Sequence, residues 1–183
     1  MNTLKTILMA ITLMVGFSAF AQDDDDRKIM ADAKEAMAKM IDKDAAVEKF
    51  FNNSAGYAIF PNVGKGGLIV GAAAGNGIVY ENGVAIGSTE LKKLSVGLQA
   101  GGQAISEVIF FETQEALEDF KDGDFEFAAG VSAVVLKEGK AKNIKYKDGV
   151  AVAAMPKGGL MAEASVGGQK FDYESFEENE DED

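Results

Sequence analysis

The side chains that could do chemistry in this 183-residue chain are limited by two absences: there is no histidine and no cysteine. That removes Ser-His-Asp triads, cysteine nucleophiles and the usual zinc ligands. No metal and no cofactor is expected. Carboxylates remain, because two acids flanking a glycosidic bond can hydrolyse it. Glu107, Glu112 and Glu163 lie within the domain. Their expected places are solvent faces or strand ends, so no catalytic residue is expected.

A second pattern is more specific. Lys65-Gly66-Gly67-Leu68 returns as Lys157-Gly158-Gly159-Leu160, and each copy follows one of the only two prolines, Pro61 and Pro156. Gly64-Lys65-Gly66 is a poor nucleotide loop: the first glycine is missing at the required distance, and no Ser or Thr follows the lysine. Backbone amides freed by glycines, beside a lysine, can still hold a lipid phosphate. The bland alternative is a glycine-rich turn whose lysine points to water. Phe60, Leu68, Ile69 and Leu160 would supply acyl contacts, as in pockets that are mostly apolar with few polar groups. The candidate lipid-binding set is therefore Lys65, Gly66, Gly67, Lys157, Gly158, Gly159, Phe60 and Leu68. Its glycines are expected to serve positive φ or close strand approach. Gln103 and Gln169 each follow a Gly-Gly pair. A buried amide joining two strands explains them as well as a ligand contact does.

These residues need a scaffold, and the periodicity supplies one. Ile29, Met30, Ala33, Ala36, Met37, Met40 and Ile41 fall on one arc of a helix over 27–41. Asp44 is placed to cap a short second helix running through Phe51. From Gly56 the period changes to two. Strands are predicted over 56–60, 67–74, 77–80, 84–91, 95–101 and 107–111, with Asn82-Gly83 as a hairpin turn. Thr113 caps a predicted helix over 114–121. Alternation from Phe125 to Val135 predicts a long strand. Lys147-Asp148-Gly149 reads as a turn between 144–146 and 150–154, and 160–166 and 169–171 close the sheet. Twelve of the 21 glycines lie between Gly56 and Gly102, which suggests bulges or tight curvature. The expected class is α+β: an N-terminal amphipathic helix packed on a curved, mostly antiparallel sheet or partial barrel with one short helical insert.

The ends of the chain differ from its middle. Residues 1–21 read as a secretory signal, with Lys5, an apolar core over 7–17, and Ala19-Phe20-Ala21 before a cleavage point at Gln22. The protein is therefore expected to be extracytoplasmic, periplasmic or secreted. The formal charge is -12, yet the segment 27–173 holds 19 acids against 17 bases. The excess sits in an acidic start over 22–26 and an acidic tail over 174–183, both expected to be disordered. Such a balance excludes a basic nucleic-acid footprint.

The order of three segments resembles the SYLF (Ysc84-like) family of lipid-binding domains, in its exported bacterial type. They are Ala55 to Gly77 (AGYAIFPNVGKGGLIVGAAAGNG), Ser95 to Phe120 and Lys157 to Phe171, and with what lies between them the resemblance covers about 120 residues. It implies a non-enzymatic domain over 27–173 that binds phospholipid or another amphiphile, in contact with a membrane surface. For the family it implies phosphoinositide binding and, in some fungal members, actin binding; with a bacterial export signal neither target is expected here, and the ligand would be another phospholipid or amphiphile. In eukaryotic relatives it implies that the region ahead of the core aids membrane binding. Here 27–49 holds six bases and five acids, which is not the basic face of an interfacial helix. That helix is expected to pack on the sheet instead. The alternative reading of the whole is a structural or protein-interaction module of the cell envelope without a lipid ligand.

Overall fold

The computed structural model describes residues 24–66, 70–96, 103–123, 125, 127, 131–158, 164–166 and 168–176. The expected signal segment, Gly67, Leu68, Ile69, Gly159, Leu160, Glu163 and 177–183 lie outside the described residues.

Helix α1 spans 24–43. It is longer than the periodicity predicts, because Asp24, Asp25 and Asp26 form its first turn instead of a disordered start. Acidic side chains are stabilised at that end by the helix dipole, and Arg27 pairs with Asp24 at 3.4 Å. Asp44 follows as a cap. Its carboxylate accepts from the Ala46 N–H at 3.1 Å, which starts a 3-10 turn over Ala45–Val47 and then α2, Glu48–Asn53. The same side chain accepts from the Ala141 N–H at 2.7 Å. These backbone hydrogen bonds, that to Ala141 foremost, hold the Asp44 carboxyl below the ordinary aspartate range.

The strands are β1 Gly56–Gly66, β2 Val70–Glu81, β3 Val84–Val96, β4 Gln103–Phe111, β5 Ser132–Val135, β6 Val150–Pro156, β7 Ala164–Ser165 and β8 Gln169–Ser175. They form one sheet in the order β7-β5-β6-β4-β1-β2-β3-β8. The pairings are antiparallel except β5 with β6. The two outermost strands, β7 and β8, are consecutive in the chain, joined by 166–168. That link reaches at most about 14 Å, so the sheet must curl until its ends approach. This is the expected curved sheet, and it remains open.

Asn82 and Gly83 take φ of 50° and 79°, the paired positive values of the tight turn their dipeptide predicts between β2 and β3. Helix α3, Gln114–Lys121, is capped by Thr113 as predicted, with the hydroxyl accepting from the Ala116 N–H at 3.3 Å.

Each face of the sheet carries its own core. On one face α1 and α2 bury Ala33, Ala36, Met40, Phe50 and Phe51 against Tyr57, Ile59, Ile78, Val108 and Phe110. On the other, Leu117 and Phe120 of α3 pack with Phe60, Val63, Leu91, Ile109, Phe111 and Phe171. Phe110 and Phe111 are neighbours in β4 and serve opposite cores, as a period of two requires.

Three expectations are corrected. Of the strand predicted over 125–135, the described residues form one over Ser132–Val135, and Phe125 and Phe127 are not in a strand. Phe125 and Phe127 instead pack their rings on Phe171, at 5.8 Å each, so tertiary contact overrides the alternation. Residues 144–146 form no strand. Lys147 forms an isolated bridge with Val150. The acidic tail does not begin at Glu174: β8 continues to Ser175, and the Phe176 N–H donates to the Ile86 carbonyl at 3.2 Å. Phe176 also packs against the α1-side core, which offsets the entropy of ordering that turn.

Candidate functional site

Strand β4 lies between β1 and β6, and this topology brings the two Lys-Gly-Gly corners together. Lys65, near the end of β1, stands opposite Gln103. On the other side of β4, Ile105 pairs with Pro156, and the Lys157 N–H donates to the Ala104 carbonyl at 3.0 Å. The corners therefore flank the first two residues of β4 at one rim of the sheet. Two strand spacings separate them, about 10 Å between backbones. Their partners on β4 are successive residues, so the corners share the rim and are offset by one residue along it.

The lysine of the second corner is exposed, and its Nζ donates to Asn62 Oδ1. Asn62 sits where β1 shifts register against β4, between Phe60 and Val63. Its Nδ2 reaches Asp32 Oδ2 of α1 at 3.5 Å. Gly66 pairs with Ala72 in the β1–β2 ladder. Gly158 has neither a positive φ nor an atom within 4 Å of where a Cβ would stand. Its expected role in backbone geometry is thus corrected: it is an open surface position. Phe60 is corrected too. It is fully buried, and its ring packs 5.7 Å from that of Phe171. A side chain sealed in the core cannot meet an acyl chain at the surface.

The catalytic candidates separate equally clearly. Glu112 is exposed. Glu107 is not on a solvent face, as expected, but 1 % exposed in the α3-side core. It follows from position: Ile105, Glu107, Ile109 and Phe111 form one row of β4, and the other three are core residues. Burying a carboxyl costs free energy unless it is hydrogen-bonded. Gln169 Nε2 donates to Glu107 Oε2 at 3.3 Å, with Gln169 only 2 % exposed. The reading of Gln169 as an amide joining two strands is thereby met: the bond ties edge strand β8 to central β4. No substrate reaches a carboxyl enclosed in this way. Next to it, the Ser106 hydroxyl donates to the Pro61 carbonyl at 2.8 Å, satisfying a backbone acceptor freed by the irregularity in β1. Among the described residues no group of His, Cys, Asp or Glu is placed to hold a metal ion, and no helix is long and apolar enough to cross a membrane.

Charge is distributed unevenly over the surface. The start of α1 and the β3–β8 edge bound an open groove of about 710 Å³ whose lining includes Asp25, Asp26, Glu90, Asp172 and Glu174. Lys92 partly offsets these acids, at 2.8 Å from Glu90 and 3.1 Å from Asp172. An anionic ligand is repelled there.

Comparison with known proteins gives the frame for that rim. Residues 92–181 match the family model described as "Ysc84: Las17-binding protein actin regulator". Over those residues the chain is similar to a Ysc84-type, or SYLF, domain. It is also similar to "Beta cell expansion factor A" of Aeromonas veronii, 27% identical over 144 residues, which cover 78% of this chain and 54% of that protein. The chain thus spans about half the length of the curated relative it matches. The matched segment contains β4 to β8 and the corner at Lys157. The first corner lies ahead of it, in β1, yet the sheet joins the two through β4. A local sequence match does not reveal that union. Hydrogen-bond register does.

Proposed function

We propose that the protein is a non-enzymatic, extracytoplasmic lipid-binding domain, and that the rim formed by the Lys65 and Lys157 corners meets the anionic head group of a phospholipid or similar amphiphile. The observation that carries this reading is the convergence of two similar Lys-Gly-Gly segments, 92 residues apart in sequence, on either side of Gln103 and Ala104. The exposed Lys157 supplies a positive charge at an open glycine, where a phosphate can approach the backbone closely. The similarity to SYLF domains, which are generally non-catalytic, supports a binding domain without catalysis, as does the enclosure of Glu107. The signal-like segment at 1–21 supports export.

Because the described domain is nearly neutral and has an acidic groove, attraction to anionic lipid is local. Affinity is therefore modest and sensitive to salt. The test is flotation of the mature protein with vesicles of differing head groups. Co-flotation with vesicles containing phosphatidylglycerol, lost as salt is raised and absent with phosphatidylcholine alone, is the expected result. Failure to float with any composition would favour the envelope protein-interaction module over a lipid binder.

A further inference from the structure

We propose that α1 regulates the rim by competing for it: Asp32, through Asn62, holds the Lys157 corner against the helix beside Glu35, and an anionic head group must displace that contact to bind. This rests on the lipid-binding reading of Lys157.

The contact is a short polar chain. Lys157 Nζ donates to Asn62 Oδ1, and Asn62 Nδ2 donates to Asp32 Oδ2 at 3.5 Å. Asn62 is thus a relay, accepting from the lysine with its carbonyl and passing its amide to the helix. Glu35 stands within electrostatic reach of the same ammonium. Its carboxyl is held below the ordinary glutamate range first by its hydrogen bond to Lys39, at 2.7 Å, and additionally by the charge of Lys157. The helix is anchored independently of these polar residues. Ala33, Ala36 and Met40 are buried on the adjoining arc, so Asp32 and Glu35 are positioned over the rim by packing that they do not themselves provide.

The strength of the contact suits competition. Exposed ion pairs and their water-accessible relays contribute little net stability in water. A membrane surface that offers many anionic groups competes on equal terms. Lys157 is therefore engaged in the free protein yet available to a denser anionic surface. Isolated anions in solution would be disfavoured relative to a bilayer.

The experiment compares Asp32→Asn/Glu35→Gln with the unaltered protein by flotation on phosphatidylcholine vesicles with and without phosphatidylglycerol. The double variant should bind the anionic vesicles roughly two- to fivefold more tightly, with no change on phosphatidylcholine alone. The same pair placed on Lys157→Ala should give no such gain. A charge-matched control on the exposed arc of α3, Glu115→Gln/Asp119→Asn, should give a smaller one. Equal binding by the double variant and the unaltered protein overturns the proposal while leaving the lipid-binding reading intact. An equal gain on Lys157→Ala, or from the α3 control, also overturns it, because the effect is then one of net charge. If the unaltered protein does not bind anionic vesicles at all, both the lipid-binding reading and this competition fall.

Discussion

Replacing Phe110 by alanine should cost about 3–5 kcal/mol and lower the melting temperature by on the order of 10 °C. Phe110 is fully buried on central strand β4. Its ring centroid lies 5.4 Å from that of Phe50, 4.9 Å from Phe51 and 6.4 Å from Tyr57. The first two belong to α2 and the third to β1, so one side chain fastens the helical layer to the sheet. Its removal leaves a cavity that three rings cannot fill without leaving their own contacts, since packed cores relax only partly. Thermal unfolding followed by circular dichroism checks the cost. A loss below about 1 kcal/mol would mean that the α1–α2 layer is not part of the cooperative unit.

Gly77→Val should destabilise the fold by about 3 kcal/mol through the opposite defect, too much matter instead of too little. Gly77 sits in β2 opposite Thr89 of β3. A Cβ at this position would lie 2.6 Å from the Ile59 carbonyl oxygen and 2.7 Å from the Phe60 ring. The first neighbour is backbone in the adjoining strand, so it can move only by distorting the β1–β2 ladder. The smaller Gly77→Ala change meets the same two atoms and should already be harmful. Chemical denaturation of both variants checks this. Wild-type stability in Gly77→Val would show that β1 and β2 yield at this point and that the close approach is not required.

The glycines also show what could and could not be seen in the sequence. A glycine-rich stretch from Gly56 onward points correctly to close strand approach, but not to which glycines make it. Gly77 is required by a neighbour's carbonyl, whereas Gly158, in a repeated motif that draws the eye, faces open space. The small residues of 71–77 also suggested two strands where one continuous β2 exists. Alanine and glycine carry too little alternation to distinguish the two. Elements set by local chemistry were legible: the Asn82-Gly83 turn, the Asp44 cap and the capped helix after Thr113. Phe125 and Phe127 illustrate the reverse. Their alternation is that of a strand, but the aromatic cluster around Phe171 gives them a better partner than a neighbouring strand does.

The candidate site was legible as a repeat whose two corners could meet in one curved sheet; the strand order that joins them was not. Nothing in the spacing of Lys65 and Lys157 requires β4 to be inserted between β1 and β6. That order is a property of the whole sheet. Glu107 was misplaced for a reason that the sequence does contain. Its row companions Ile105, Ile109 and Phe111 are all apolar, and period two assigns the acid to the same side. The buried Gln169 that meets it lies 62 residues away, beyond the reach of any local pattern.

The most direct measurement is vesicle flotation of the Lys65→Ala/Lys157→Ala variant on membranes containing phosphatidylglycerol, with its melting temperature recorded alongside. Two cations at one rim should together be worth about tenfold or more in binding to an anionic surface. The expected result is a folded protein with unchanged melting temperature whose anionic-vesicle binding falls by that amount. A folded double variant that floats as well as the unaltered protein would contradict the assignment of the lipid site to this rim.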